Sequence, residues 1–325
     1  MPDLTTQALW YVGPGRAEIR DEPVVEPKPG EVQVRAQYSA ISRGTERLIL
    51  AGRVPPSEFE RMRAPFMAGG FPFPVKYGYA VVGKVERGPA ELLTREVFVL
   101  HPHQGVFNVP VGAVVPVPEG VPPTRAVLAA NMETALNGVW DAEPGPARRI
   151  AIVGAGVVGA LVAFLYGQQA GADVTLVDIN PTRTELAREF GVKFARPEAA
   201  PGDCDLVVHA SGTAEGLATS LALAGFEATV LEMSWYGDAI VPVPLGGAFH
   251  SRRLKLVSSQ VGHVAPSHRA DWTHARRLAA AVDLLADARL DALLSPAVAF
   301  RDLPAKLTDI LDVKNSVLCQ LVNYQ

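Results

Sequence analysis

The sequence has few cysteines, no strong excess of either charge and no long apolar run. Its 325 residues include only two cysteines, Cys204 and Cys319. They are too far apart to indicate a disulfide framework or a Cys-x-x-Cys metal knuckle. Such cysteine usage is typical of a reducing compartment, so we expect a cytoplasmic protein.

The charge balance and the apolar runs exclude two classes of partner. A formal net charge of −4 gives no electrostatic basis for binding nucleic acid. The N-terminus, MPDLTTQALWYVG, lacks the basic start and apolar core of a signal peptide. Ile150–Tyr166 carries no charge, but a membrane span needs roughly 20 apolar residues, and the three glycines of this stretch have another explanation below. We therefore expect neither nucleic acid nor membrane as a partner.

Short strands dominate the first 120 residues or so. In EVQVRAQYSAIS, Val32, Val34 and Ala36 alternate with polar residues, which predicts a half-buried strand. YAVVGKVERG and REVFVLHPH have the same character, and proline and glycine occur densely between them. This pattern predicts a β barrel or sandwich.

The composition changes after Val121. Five β-branched runs, RIAIV, DVTLVD, DLVVHA, EATVLEM and RLKLVSS, alternate with helix-like stretches rich in alanine and leucine. This alternation predicts an α/β domain, a doubly wound parallel sheet wrapped by helices. We place a β-rich domain at residues 1–121, the α/β domain at 122–260 and a C-terminal segment at 261–325.

A dinucleotide-binding fingerprint follows the first of these runs. IAIVGAGVVG contains Gly154, Gly156 and Gly159, with Val157 and Val158 between the last two, and the next strand ends in Asp178. Gly154 permits a tight turn, Gly156 allows the backbone to approach a pyrophosphate, and Gly159 allows the helix to pack on the strand. The helix N-terminus favours the phosphates. Asp178 would accept hydrogen bonds from ribose hydroxyls and repel a 2′-phosphate, so NAD is the expected cofactor. Arg183 would oppose this preference, unless it is a solvated helix residue.

Polar residues follow three later strands of the same domain. Ligands of such sheets bind beyond the carboxyl ends of the strands. These positions predict contacts with the nicotinamide side of the cofactor, although ordinary loop residues fit as well. They are Ser211, Gly212, Ser234, Ser259 and Gln260.

The order of parts resembles the medium-chain dehydrogenase/reductase superfamily. The resemblance is carried by the fingerprint near residue 155, by PGEVQVRAQYSAIS, by GYAVVGKV and by METALNGV. It implies a GroES-like catalytic domain at 1–121 that residues 261–325 complete, a Rossmann domain at 122–260, a small-molecule alcohol substrate and a homodimer. Residues 38–86 look most like bacteriochlorophyllide a dehydrogenase and its relatives.

Zinc-dependent members of this superfamily bind a catalytic zinc, but this sequence does not keep their ligands. Ser42 occupies the position of their ligating cysteine. Gly78-Tyr79-Ala80 occupies the position of their Gly-His-Glu motif, and Gly83 keeps the spacing of that motif. The last ligand position falls near Ala130 or Asn131. Because zinc needs three or four thiolate, imidazole or carboxylate ligands, we expect no catalytic zinc. A competing metal site would use His101 and His103 on one face of a strand, joined by Glu46 and Glu133.

Without zinc, an amino-acid side chain must move the proton of the alcohol. Tyr79 occupies a former ligand position and is our first candidate; as a base it would need a cationic neighbour, whereas in the reductive direction it could donate its proton directly. His101 and His103 are rivals because imidazole titrates nearer neutrality. The resemblance implies that Thr45 and Glu46 lie in the loop that carries a hydroxyl relay in the relatives.

Each of these residues also has a structural alternative. Tyr79 would fill the space left by the metal, each histidine would make a structural hydrogen bond, and Glu46 would pair with Arg43 or Arg47. Glu133 would cap a helix or support the site indirectly.

The segment RVPPSEFERMRAPFMAGGFPFPVKYG is rich in Phe, Met and Arg. It is either a lid for a ring-containing anionic substrate or a surface loop with its own apolar cluster.

The sequence thus predicts a zinc-independent, NAD(H)-dependent oxidoreductase acting on a secondary alcohol or ketone. Two alternatives remain open. One is an NADPH-dependent quinone or enoyl reductase. The other is a catalytically silent NAD(H)-binding regulatory protein.

Overall fold

The computed structural model describes residues 5–142 and 149–325. The chain divides into two compact units, one comprising Met1–Ala130 with Val282–Gln325 and the other comprising Asn131–Ala281. We refer to these as the first and second units. No helix within the described ranges is long and apolar enough to cross a membrane.

The strands follow one another in this order: β1 Thr5–Gly13, β2 Arg16–Pro23, β3 Glu31–Ile41, β4 Ala68–Gly69, β5 Val75–Lys76, β6 Val81–Arg87, β7 Glu96–Val99, β8 Val106–Pro110, β9 Val114–Pro116, β10 Arg149–Val153, β11 Asp173–Val177, β12 Lys193–Ala195, β13 Cys204–His209, β14 Ala224–Glu232, β15 Lys255–Ser258, β16 Leu294–Ala299 and β17 Cys319–Asn323.

The α-helices are α1 Arg43–Leu50, α2 Pro123–Ala126, α3 Ala129–Asp141, α4 Val157–Gly167, α5 Arg183–Glu189, α6 Ala214–Leu223, α7 His274–Asp283 and α8 Leu303–Leu311. Single turns of 3₁₀-helix occur at Pro56–Glu58, Val111–Ala113, Pro197–Ala199, Leu284–Ala286 and Phe300–Asp302, with a longer one at Ala288–Leu293. A π-helical turn covers Leu245–Phe249.

The first unit is built from two sheets, which are antiparallel except that β16 pairs with β17 in parallel. One has the order β2-β1-β5-β4, and the other has the order β16-β17-β3-β6-β7-β9, with β8 also paired to β3. The alternation predicted for β3 holds for Val32, Val34 and Ala36, which are buried. Gln33 departs from it, because it is buried too and donates a hydrogen bond from its side-chain amide to Asn108 Oδ1. A polar side chain can occupy an interior position when its amide finds such a partner.

The second unit is a parallel sheet with the order β12-β11-β10-β13-β14-β15. This is the strand order of a doubly wound dinucleotide-binding fold, so the predicted α/β class and Rossmann architecture are confirmed. All five predicted runs form strands, as β10, β11, β13, β14 and β15. The short strand β12 was missed, because KFA has only three residues and no alternation to recognise.

The division into units falls later along the chain than the boundaries at 121/122 and 260/261 that we expected. Residues 122–130 belong to the first unit, where α2 contacts β3 and β6. Most of α7 belongs to the second unit, and Arg277 on α7 bonds to residues of α3. Composition marks the end of the β-rich region, whereas these tertiary contacts determine which unit a helix joins.

Candidate active site

The glycine-rich turn of the second unit lies between β10 and α4. Gly154 has φ +107°, and a Cβ there would lie 2.6 Å from the backbone nitrogen of Ser211. A Cβ on Gly159 would lie 1.9 Å from the carbonyl oxygen of Gly154, so only glycine allows this close packing of helix on strand. Gly156 is different, since a Cβ there would meet nothing within 4 Å. The turn therefore leaves an open space beside Gly156.

That open space lies at the N-terminus of α4. Gly156 is the N-cap, and Val157 and Val158 are the first helical residues. The first N–H groups of a helix have no acceptor within the helix and attract anions. Dinucleotide phosphates fit this arrangement, because the cradle is formed by backbone donors and is left open by the missing side chain of Gly156.

Asp178 follows β11 at the same end of the sheet. Its carboxylate accepts hydrogen bonds from the N–H of Ala155 (2.7 Å) and the N–H of Asn180 (2.8 Å). The first bond ties Asp178 directly to the glycine-rich turn. Arg183 is half-buried rather than fully solvated, and burial lowers its pKa while the nearby charge of Asp178 partly offsets this. A cation thus stands close to the carboxylate that we expected to select NAD.

The predicted residues after β13 and β14 are joined to each other. The N–H of Gly212 donates to Ser234 Oγ at 3.0 Å, and Ser211 Oγ contacts Thr213 Oγ1 at 3.0 Å. Sequence analysis did not select His209, which is buried and lies 2.6 Å from Ser211 Oγ through Nε2. The sequence signal that could have identified His209 was its position as the last residue of a buried strand.

The two predicted residues after β15 make local hydrogen bonds. Ser259 Oγ donates to Asp141 Oδ2 at 2.7 Å, and Gln260 Oε1 accepts from the N–H of Gly262 at 2.7 Å. These bonds shape the loop that follows the strand. Ser259 and Gln260 therefore remain candidates for cofactor contacts.

Glu133 forms a buried ion pair with Arg277 in the second unit. The two side chains are 3.0 Å apart, and Arg277 is 1% exposed. Arg277 also donates to Asn137 Oδ1 and to the carbonyl oxygens of Val261 and His263, so it holds the loop after β15. We considered two structural roles for Glu133, helix capping and indirect support of the site. This ion pair resembles the second role more, because the partner is a distant arginine rather than a helix terminus.

Replacing Arg277 with methionine is expected to destabilise the protein by about 3–5 kcal/mol near pH 7, because it leaves the Glu133 carboxylate buried without its cation. Burial already raises the pKa of Glu133, and Arg277 partly offsets this. The folded state then binds the proton more tightly than the unfolded chain, so the deficit should shrink as the pH falls. Urea unfolding of Arg277→Met near pH 7 and pH 5 measures this. A deficit independent of pH, or one that Glu133→Gln fails to reduce in the double variant, would contradict it.

Ser42 and Tyr79, at two positions where the resemblance places zinc ligands, hold hydroxyl groups that bond to each other. The Tyr79 hydroxyl contacts Ser42 Oγ and lies 3.1 Å from Thr45 Oγ1. A phenol has one proton, so Tyr79 donates to one of these oxygens and accepts from the other. Burial raises the pKa of Tyr79 to about 12, and the bonds to Ser42 and Thr45 offset part of the rise. Ser42 and Thr45 lie at the start of α1 rather than in a loop.

Glu46 and His103 form a second buried pair in the first unit. Both are 0% exposed, and His103 Nε2 lies 3.1 Å from Glu46 Oε2. Glu46 also accepts from Tyr11 Oη at 2.5 Å and from the N–H of Ser42 at 2.7 Å. Arg43, one of the two partners that we expected for Glu46, donates to the carbonyl oxygens of Ile310 and Asp312.

His101 and His103 do not lie on one strand face as we expected, because β7 already ends at Val99. His101 stacks on Phe107 at a centroid distance of 3.7 Å, and its Nδ1 bonds to the carbonyl oxygen of Pro102 at 2.9 Å. Burial lowers the pKa of His101 to about 3. His101 is therefore neutral at physiological pH, which disfavours it as a proton donor.

The glycines of the former metal motif are retained for packing. Gly78 has φ +130°, and a Cβ there would lie 2.9 Å from His103 Nε2. A Cβ on Gly83 would lie 2.3 Å from the carbonyl oxygen of Arg35 on β3. Gly78 is thus required by the left-handed backbone and the nearby imidazole of His103, and Gly83 by the close approach of the β3 backbone.

The side chains at the motif positions do not fit a zinc ion. Ser42 and Tyr79 are hydroxyls bonded to each other, Ala80 has no donor atom, and the oxygens of Glu46 already accept from protein groups. In the residues that the structure describes, no group of three or more His, Cys, Asp and Glu side chains is placed to hold a metal ion.

Solved structures of dehydrogenases share this architecture. The TM-score is 0.80 with L-idonate 5-dehydrogenase from Escherichia coli, at 16% identity over 99% of both chains. It is 0.75 with a putative zinc-binding dehydrogenase from Sinorhizobium meliloti bound to NADP, at 20% identity over 98% of this chain and 99% of that one. The chain therefore has the fold of these dehydrogenases. The resemblance to the medium-chain dehydrogenase/reductase superfamily that we inferred from the sequence is confirmed.

The chain is also similar in sequence to curated dehydrogenases. The chain is 28% identical to 2-desacetyl-2-hydroxyethyl bacteriochlorophyllide A dehydrogenase of Rhodobacter capsulatus, over 67% of this chain and 69% of that protein. It is 24% identical to an uncharacterized zinc-type alcohol dehydrogenase-like protein of Haemophilus influenzae, over 64% of this chain and 61% of that protein. Residues 150–218 match the family model for ketopantoate reductase PanE/ApbA. The matches thus cover about two thirds of the length of these relatives.

Proposed function

We propose that the protein is a zinc-independent, NAD(H)-dependent oxidoreductase that interconverts a secondary alcohol and a ketone. The observation that carries the proposal is the hydroxyl cluster of Ser42, Tyr79 and Thr45 at the positions of a zinc site, in a chain with an open glycine-rich cradle. A bound nicotinamide cofactor would accept or supply the hydride. The protein must then move the proton through its own side chains.

Tyr79 is the group that we assign to this proton. Its pKa is raised to about 12, so the phenol remains protonated at neutral pH. The groups that shift this pKa are burial, two hydroxyls and Glu46, and none of them is a cation that would stabilise a phenolate. Tyr79 is therefore suited to donate a proton to a developing alkoxide, and the reductive direction from ketone to alcohol is favoured.

A row of neighbouring aromatic rings in the first unit ends at Tyr79. Phe59 lies 5.8 Å from Phe71, Phe71 lies 5.9 Å from Tyr77, and Tyr77 lies 6.0 Å from Tyr79, as ring-centroid distances. Arg61 in the same segment is 81% exposed at its side chain. Arg61 also pairs with Glu58 at 3.6 Å. Aromatic rings and an exposed arginine in one segment are our reason for proposing a ring-containing anionic substrate.

We further propose a cytoplasmic homodimer. β15 is the edge strand of the second unit, and its residues Leu256 and Val257 are 38% and 37% exposed. An exposed apolar edge strand is a template for pairing with another chain. Light scattering of the purified protein should report twice the mass of one chain, and a monomer at micromolar concentration would contradict this proposal.

Replacing Asp178 with serine is expected to weaken NADH binding by roughly tenfold, because the ribose hydroxyls lose an ionised acceptor. NADPH binding should strengthen, since Arg183 then stands near the 2′-phosphate without a competing carboxylate. Fluorescence titration with both cofactors measures the two effects. Asp173→Asn is the matched control, because Asp173 is a surface residue paired with Lys193 at the opposite end of β11. Tighter binding of NADPH than NADH by the unaltered protein would favour the quinone or enoyl reductase alternative.

The activity itself is tested with a panel of ring-containing keto acids and NADH, together with metal analysis of the purified protein. We expect turnover without stoichiometric zinc and no loss of turnover after chelation. One zinc per chain, removable with loss of activity, would overturn zinc independence. Tight NADH binding without turnover on any ketone, alcohol or quinone would instead favour the silent regulatory alternative.

A further inference from the structure

A hydrogen-bonded set of side chains connects the ends of β13 and β14 in the second unit. His209 ends β13 and Glu232 ends β14, and the two residues are direct neighbours in the parallel pairing. His209 Nδ1 lies 2.9 Å and 2.8 Å from the two carboxylate oxygens of Glu232. On its other side, His209 Nε2 lies 2.6 Å from Ser211 Oγ. The side chain of His209 is 0% exposed, so these contacts account for both ring nitrogens.

The carboxylate of Glu232 is satisfied by several donors. Ser234 donates its backbone N–H at 2.7 Å, and Tyr236 donates its hydroxyl at 2.9 Å. Burial by itself would raise the pKa of Glu232, but the bond and charge of His209, with these donors, hold it below the ordinary value. An ionised carboxylate only accepts hydrogen bonds, so Nδ1 of His209 carries a proton and donates it. The ring of His209 is thereby fixed in orientation.

The imidazole of His209, fixed in this way, holds the turn formed by residues 211–213 in place. Ser211 Oγ accepts from the N–H of Thr213 at 3.3 Å, and Gly212 donates its N–H to Ser234 Oγ. This turn rests directly on the glycine-rich turn, because a Cβ on Gly154 would lie 2.7 Å from Ser211 Cα. Any shift of the 211–213 turn therefore changes the shape of the cradle beside Gly156.

Helix α6 leaves room for the contact between His209 and Ser211. A Cβ on Gly216 would lie 2.0 Å from Ser211 Oγ and 2.8 Å from His209 Nε2. Ser211 would have to move if Gly216 carried any side chain. Substituting Gly216 is thus a second, independent way to break the contact between His209 and Ser211 without altering His209.

We propose that His209, held by Glu232, is a positioning residue for the dinucleotide, and that it sets cofactor affinity by fixing the 211–213 turn against the glycine-rich turn. The inference rests on the proposed binding of a nicotinamide cofactor. Because His209 is fully buried, we place it behind the 211–213 turn and assign it an indirect effect on the dinucleotide. Its effect should therefore be seen in binding constants rather than in the chemical step.

The test is fluorescence titration of NADH and NADPH against the purified full chain and its variants, with thermal unfolding of each apoprotein. His209→Asn keeps a donor toward Glu232 but is too short to reach Ser211, and it should weaken binding of the preferred cofactor roughly tenfold. Gly216→Ala should weaken it similarly while retaining His209. Both substitutions break the same contact between His209 and Ser211. The double variant should therefore bind the cofactor about as tightly as either single variant.

Ser220→Ala is the matched control in the same helix. Ser220 Oγ donates to the carbonyl oxygen of Gly216 and is buried, so the variant loses a buried hydrogen bond without touching His209 or Ser211. Its affinity for the cofactor should equal that of the unaltered protein. Unchanged affinity in His209→Asn, or an equal loss in Ser220→Ala, would overturn the positioning role. Failure of the unaltered protein to bind either dinucleotide would instead overturn the cofactor proposal on which this inference rests.

Discussion

Replacing Tyr79 with phenylalanine is expected to lower the rate of ketone reduction by about 10²- to 10⁴-fold, the usual contribution of a general acid. The variant keeps the ring and its edge contact with Tyr77, and it loses only the hydroxyl that bonds to Ser42 and Thr45. Steady-state kinetics with NADH in excess measures the effect. The loss should lie in kcat, because the donated proton matters most in the transition state.

Tyr77→Phe is the matched control for this prediction. Tyr77 is a buried tyrosine two residues away, and burial raises its pKa as it does that of Tyr79. The Tyr77→Phe variant should retain the turnover of the unaltered protein. If Tyr79→Phe turns over normally with unchanged thermal stability, Tyr79 only fills the space of the missing metal, and the proton must come from another group.

The pH dependence distinguishes Tyr79 from a histidine donor. Because its pKa is raised to about 12, the phenol of Tyr79 holds its proton at neutral and mildly alkaline pH. The reductive kcat should therefore be independent of pH between about 6 and 9. A histidine donor with an ordinary pKa would give a rate that falls as the pH rises through about 6.5. Such a fall would contradict the assignment to Tyr79.

Replacing Gly156 with alanine is expected to weaken dinucleotide binding by roughly 10- to 100-fold, the effect of about 1–3 kcal/mol of steric conflict. The added methyl group meets no protein atom within 4 Å, so it enters only the open space that we assign to the pyrophosphate. Folding should be unaffected. Titration of NADH and thermal unfolding of the apoprotein measure the two quantities separately.

Two further glycines provide the comparison for Gly156. Gly202→Ala, in the same unit, also adds a methyl group to open space, and it should bind the cofactor normally. Gly159→Ala should unfold at lower temperature, because its Cβ would overlap the carbonyl oxygen of Gly154. Normal NADH affinity in Gly156→Ala would mean that the phosphates do not bind beside this residue.

The parts of the site that depend on local backbone geometry were predictable. Gly154, Gly159 and Asp178 are recognisable because a tight turn, a close helix–strand contact and an acceptor after the next strand impose residue types at fixed spacings. The substitutions at Ser42 and Tyr79 were visible for the same reason, since a zinc motif is also a pattern of spacings. Such requirements act over a few residues, so a single sequence displays them.

The partners of the buried charges were not predictable. Glu46 was expected to pair within its own helix, yet its partners are Tyr11 and His103, which lie 35 and 57 residues away. Glu133 pairs with Arg277 across 144 residues. A charged side chain in the interior takes whichever complementary group the packing brings near, and the sequence spacing of the two groups carries no information about that.

The sequence by itself determined the two-domain class, the dinucleotide fingerprint and the replacement of the zinc ligands in this protein, because each follows from local pattern. Only the tertiary structure decided that Tyr79 bonds to Ser42 and Thr45, that burial lowers the pKa of His101, and that His209 joins Glu232 to Ser211. These outcomes depend on burial and on contacts between neighbouring strands and helices. Such contacts arise from how the elements pack, which no short stretch of the chain specifies.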